Sequence, residues 1–205
     1  QVASPSDLID DLDAVLGKRG ALDRGTLYAV ERAAKQLERI ADLRARGPAA
    51  AADVDAALQL AILTAYPDRV GKRRAPRSSD FVFAGGGSGA LAPSSAVIEP
   101  ELIVAVDVAD TGRGAQIRRA SGIEASWLLD LYLDRIAERD ELIWDAARER
   151  VERVVQMTYD GLVIDEHRDV ESARGAGRAA AELLAKKAVA AGIARFTGAD
   201  ALAGW

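Results

Sequence analysis

The chain has 205 residues, a formal net charge of −5, 49% hydrophobic residues and 29% charged residues, the profile of a soluble globular protein with one large or two small domains. No apolar run reaches the roughly 18 to 20 residues of a membrane span, and the opening "QVASPSDLIDD" has no leader pattern, so neither membrane insertion nor export is expected. The absence of cysteine removes disulfides and thiolate chemistry and accords with a reducing, cytoplasmic compartment, while a single histidine, His167, argues against a His-rich metal site or a Ser-His-Asp triad.

The first third reads as three amphipathic helices. In "SPSDLIDDLDAVLGKRG", Leu8, Ile9, Leu12, Val15 and Leu16 recur at helical spacing, with Ser6 and Asp7 as caps and Gly17 or Gly20 as stops. Thr26 caps a second helix with the stripe Leu27, Val30, Ala34, Leu37 and Ile40. After the connector "GPAAAA" a third stripe, Val54, Leu58, Ala61, Ile62 and Ala65, ends at Tyr66, because Pro67 disfavours helical geometry in the residue before it. Together these predict a small bundle over residues 1–66, followed by a basic linker over 67–77.

After residue 78 the period changes. "DFVFAG", "LIVAVDVAD" and "GAQIRRAS" read as strands, with "GGGSGALAPSS" as a loop between the first two. No long helix separates these strands, which predicts a small antiparallel barrel after residue 78. "IEASWLLDLYLDRIAE" reads as a helix interrupting it, through Trp127, Leu128, Leu131 and Ile136. "DELIWDAARERVERVVQMTYDGLVIDEH" fits a helix or a strand pair; the Asp160-Gly161 signal favours strands from Arg150 to Glu166. A final helix runs from Glu171 or Ser172 to Ala191, in a C-terminal segment of residues 169–205. The fold class expected is therefore α+β: a helical bundle, a barrel and a C-terminal helix.

Three stretches resemble catalytic motifs without their chemistry. "GGGSG" (Gly85 to Gly89) lacks the Lys-Ser/Thr ending of a phosphate loop and reads as a strand connector. "LVIDEH" has the acids of a magnesium site, but no phosphate-binding lysine loop precedes it. The paired acids Asp10-Asp11 and Asp140-Glu141 read as surface charge. No constellation supports an enzyme in its own right. The remaining feature is basic: Arg69, Lys72, Arg73, Arg74 and Arg77 crowd against one acid, Asp68, with Arg113 in "DTGRG" as a weaker companion. Such a cluster either solubilises a linker or neutralises phosphates independently of base sequence. Phe81 and Phe83 alternate onto one face, which is either a stacking platform or core.

Read in order, "LAILTAYPDRVGKRR", "FVFAGGGSGALAPSSAV", "PELIVAVDVAD", "QIRRASGIEASWLLDLY", "LIWDAARERV" and "YDGLVIDE" resemble the C-terminal part of HrpB-family ATP-dependent helicases, relatives of the DEAH-box RNA helicases. The resemblance covers nearly the whole chain. It implies a helicase-associated helical module, an OB-like barrel over residues 78–168 and the start of a C-terminal extension, packed on RecA-like motor domains and touching single-stranded RNA. ATP and Mg are implied for the parent protein alone, because no motor motif is present; the fragment itself needs no cofactor. The alternative is a protein-interaction module that docks on a partner and touches no nucleic acid, a reading that the overall acidity favours.

Overall fold

In the computed structural model, residues 3–17, 23–40, 51–112, 114–148, 150–170 and 175–191 are described. The chain divides into two units, Gln1–Leu133 and Asp134–Trp205. Among the described residues no helix is long and apolar enough to cross a membrane.

Helix α1 (Asp7–Val15) starts as its sequence dictates: the Leu8 amide donates to the Ser6 hydroxyl at 3.2 Å. Asp7 is buried at the start of this helix and faces the barrel. Its carboxylate accepts from the Ser95 hydroxyl at 2.7 Å, the Ala96 amide at 2.8 Å and the Ala120 amide at 2.9 Å. The residues just before the helix join the same surface. Ser4 donates from its amide to the Ala96 carbonyl, Gly122 donates to the Pro5 carbonyl, and Ser6 forms an isolated bridge with Ser121.

Helix α2 (Arg24–Ile40) is amphipathic as predicted, but no residue of it is buried. Leu37 and Ile40 are 63% and 73% exposed. Helix α3 (Ala51–Ala65) ends before Pro67 as expected and lays Ile62 and Leu63 against the barrel, while Gln59 donates to the Gly122 carbonyl at 2.9 Å. Among the described residues, Ile9 of α1 and Ile62 and Leu63 of α3 are buried, while Leu12, Leu16 and Val54 of the expected stripes are exposed, and α1 and α3 lie against the barrel strands rather than in a helical bundle.

The barrel is built from β1 (Val70–Arg73), β2 (Asp80–Phe83), β3 (Ser88–Leu91), β4 (Leu102–Asp110) and β5 (Ala115–Ile123), closed in the order β1-β2-β3-β5-β4. The neighbours pair antiparallel except β3 and β5, which run parallel. A wholly antiparallel barrel cannot form, because strand directions cannot alternate around a closed ring of five; β3, antiparallel to β2 across a tight turn, is left parallel to β5. Gly85, Gly86 and Gly87 all take positive φ there, a conformation other residues adopt only with strain. Two of the barrel strands lie where the sequence predicts none. β1 occupies the expected basic linker, and β3 occupies the expected glycine loop; both gain strand geometry from partners on either side rather than from their own propensity. The interior holds Phe81, Val97, Ile103, Ala105, Ile117 and Ala120, with Phe83 and Leu91 packed against them. Gly71 and Gly89 flank the Phe83 ring: a Cβ at either would lie 2.9 Å or 3.2 Å from it.

The barrel ends at Ile123, well short of residue 168. Helix α4 (Ala125–Leu131) follows and buries Leu128, and the Tyr132 hydroxyl reaches the Leu63 carbonyl at 3.5 Å. The predicted longer helix stops here, and Ile136 already belongs to a strand.

The second unit is a separate antiparallel sheet, β6 (Ile136–Asp145), β7 (Arg150–Tyr159) and β8 (Leu162–Asp169), with α5 (Arg178–Ala191) after it. The β7–β8 hairpin turns at Asp160-Gly161 as its sequence predicts, both residues at positive φ. Glu152, 1% exposed, lies 2.6 Å from Arg150, 3.6 Å from Arg168 and 3.8 Å from Arg148. The acids of "LVIDEH" fall along β8, where Glu166 pairs with Arg168 and Gln156.

Removing the Asp7 carboxylate leaves a hydroxyl and two amides without their acceptor. Asp7→Ala is expected to destabilise the first unit by about 3 kcal/mol, read as a lower urea midpoint. Asp11→Ala, which loses only the exposed pair with Arg119, should move the midpoint by less than about 1 kcal/mol.

Candidate nucleic-acid interface

Strand β1 decides what becomes of the basic cluster. Its four residues span about 13 Å at roughly 3.3 Å per residue, so Arg69 and Arg74 stand at opposite ends of a strand rather than together in a linker. Arg69 closes a short 3-10 turn (Pro67–Arg69); its guanidinium lies over the Tyr66 ring at 5.0 Å and donates to the Val106 carbonyl at 3.0 Å. Lys72 pairs with Glu101 at 3.1 Å.

Arg73 leaves the candidate set. It is 7% exposed, and its guanidinium lies over the Phe81 ring at 4.5 Å. Nε donates to the Pro100 carbonyl and Nη2 to the Val97 carbonyl, each at 3.0 Å, while Nη1 donates to the Ser78 carbonyl. Burial pushes its pKa below the ordinary guanidinium value, and Glu99 pulls it back; the group stays charged throughout the physiological range. With Nε, Nη1 and Nη2 each held by a backbone carbonyl inside the barrel, Arg73 is turned away from any phosphate at the surface. Arginine is the residue that suits this place, because one planar fork reaches several acceptors at once.

Arg74 and Arg77 are exposed on the loop between β1 and β2. Arg77 holds φ at 61°, an uncommon conformation for a residue with a long side chain. Arg74 lines a cleft of about 200 Å³ together with Asp80, Ser88, Gly89, Ala90, Gly114 and Ala115. The β1–β2 loop therefore supplies one wall, the outer side of β2 and β3 the floor, and the end of the β4–β5 loop the other wall. Arg113, in that second loop, lies outside the described residues.

The aromatic question is settled by register. Phe81 is fully buried and Phe83 packs against the same core, so Asp80 and Val82 face outward from β2. Phe81 is closed to stacking and Phe83 is half-buried against the core, which leaves charge as the main interaction of this surface. Asp80 and Ser88 had no signal in the sequence beyond their positions beside strands. Their place in the cleft follows from the pairing of β2 with β3.

No protein-family model matches the chain, and no curated protein matches it. Among solved structures it is similar to the Escherichia coli DExH-box NTPase HrpB, with a TM-score of 0.51 and 18% identity over 75% of this chain and 20% of that one. A second structure, of the Escherichia coli DEAH/RHA helicase HrpB, gives a TM-score of 0.51 and 17% identity over 75% of this chain and 18% of that one. The likeness is one of fold, and the chain spans about a fifth of the length of the helicase chains that it matches.

The neighbours Arg73 and Arg77 should respond oppositely to substitution. Arg73→Met orphans carbonyls at Val97, Pro100 and Ser78 and is expected to destabilise the barrel by about 3 kcal/mol. Arg77→Gly relieves the positive-φ backbone and should raise stability by up to about 1 kcal/mol. Thermal unfolding followed by circular dichroism checks both.

Proposed function

We propose that this chain is an accessory part of an ATP-dependent RNA helicase similar to HrpB, with an OB-like barrel that contacts single-stranded RNA without regard to base sequence. The observation that carries the reading is the cleft between the β1–β2 loop and the β4–β5 loop over strands β2 and β3, since OB barrels bind oligonucleotides on that face and with those loops. Arg74 and Arg77 supply the principal phosphate contacts, with Arg69 and Lys72 at the periphery. Helices α1 to α3 serve as the helicase-associated module. Hydrolysis of ATP, with its Mg, belongs to RecA-like motor domains elsewhere in such a protein, and in this reading the chain works in the cytoplasm. The outward face of β2 and β3 carries Val82, Ser88 and Ala90 and offers no ring to stack on, which favours a weak association carried by counterion release.

A second reading has its own observation. Leu37 and Ile40 leave an apolar stripe on α2 exposed, a feature that marks a docking surface. In that reading the chain is an interaction module, and its acidity keeps polyanions away.

A filter-binding titration with single-stranded RNA at several salt concentrations separates the two. The RNA reading expects salt-sensitive binding, and replacing Arg69, Lys72, Arg74 and Arg77 by Ala should flatten the log-log salt slope by about 0.7 for each phosphate that is no longer neutralised. An unchanged slope removes these residues from the RNA-binding surface; no binding at low salt leaves the docking module.

A further inference from the structure

The cleft beside the β1–β2 loop contains an acid as well as a base. Asp80, the exposed first residue of β2, lines it opposite the small residues Gly89, Ala90, Gly114 and Ala115. Arg74 is held beside Asp80 through the backbone, its amide donating to the Asp80 carbonyl at 2.9 Å. Among the described residues no ion pair joins the two side chains, and both residues are exposed.

A carboxylate in a cleft for a polyanion requires a reason. It repels phosphate by the same law through which Arg74 attracts it. It favours a ligand that presents a hydrogen-bond donor close to its phosphate. In a single nucleic-acid strand the ribose 2′-hydroxyl is that donor, and deoxyribose lacks it. Base amines are the other source, but apart from Arg74 and Asp80 the lining is small side chains and backbone, with no aromatic ring to hold a base. The volume of about 200 Å³ is also below the roughly 300 Å³ at which sites for whole small molecules begin, so it suits one segment of a longer chain.

We infer that the cleft is a ribose-phosphate subsite in which the Asp80 carboxylate accepts from a 2′-hydroxyl while Arg74 meets the neighbouring phosphate, so that the barrel prefers RNA to DNA. The inference rests on the nucleic-acid reading above and adds to it the sugar that is recognised. Asp80 is here a specificity residue that weakens general polyanion binding while selecting one kind of strand.

Fluorescence anisotropy with the full chain and labelled oligouridylate, its deoxy counterpart and its 2′-O-methyl counterpart tests this at fixed low salt. The ribose strand should bind about tenfold more tightly than either of the others, the scale of one charge-assisted hydrogen bond. Asp80→Ala should bring the ratio close to one and strengthen deoxy binding, because the repulsion goes with the donor's partner. The 2′-O-methyl strand removes the donor without touching the protein, so the test holds even if the variant is unstable. Equal binding of all three strands by the unmodified chain overturns the ribose subsite and leaves the phosphate interaction standing, as does a preference that survives Asp80→Ala. Failure of every strand to bind overturns the nucleic-acid reading itself.

Discussion

The barrel's functional edge depends on a guanidinium buried inside it. Arg73 takes its place between the Val97–Pro100 segment and the β1–β2 loop, joined to carbonyls of both and covered by the Phe81 ring. Burying a cation is costly unless its donors are met, and here the peptide carbonyls meet them. The result is mutual: the charge is accommodated only when both connections are folded, and the connections are pinned only when the charge is present. Because the β1–β2 loop carries Arg74 and Arg77 and leads into Asp80, this interior interaction sets the geometry of the exterior cleft.

Asp7 applies the same logic with the opposite sign. Its carboxylate gathers a hydroxyl and two amides from segments about 90 and 110 residues further along the chain, tying α1 to the barrel. Each buried charge is satisfied by neutral groups, backbone and in one case the Ser95 hydroxyl, rather than by the other, so neither depends on a salt bridge that ionic strength weakens. The Phe83 ring fits between Gly71 and Gly89 on the same principle of close approach, since side chains there would displace it. These interactions join residues remote in sequence, and through them β1 and β3 acquire partners on both sides.

The surface that results is suited to modest electrostatic attraction. An acidic chain, net −5, offers a polyanion only a local positive edge, and a solvated edge acts over about a Debye length. With the phenylalanines turned inward, no stacking energy is added to that attraction. The proposed association is therefore weak and dependent on the rest of a larger assembly for its affinity, which fits an accessory role better than that of a stand-alone binder. The exposed stripe of α2 agrees with such a setting, because apolar surface of that kind is usually covered by a partner.

How much of this could be read without coordinates depends on where each signal resides. The start of α1 at Ser6 and Asp7, the end of α3 before Pro67 and the Asp160-Gly161 hairpin were legible because each rests on a few adjacent residues and their backbone preferences. The cations around Arg69 to Arg77 were also visible, but as one cluster. Only tertiary structure separated them, since β1 has no propensity of its own to announce a strand and exists through β2 and β4. The same holds for β3 within its run of glycines. Arg73 and Arg74 are chemically identical neighbours, yet one is interior and the other exposed, because Arg73 ends β1 with its side chain over Phe81 while Arg74 begins the loop that follows. Local chemistry thus determined turns, caps and charge, while the pairing of distant strands determined which charges solvent, and any ligand, can reach.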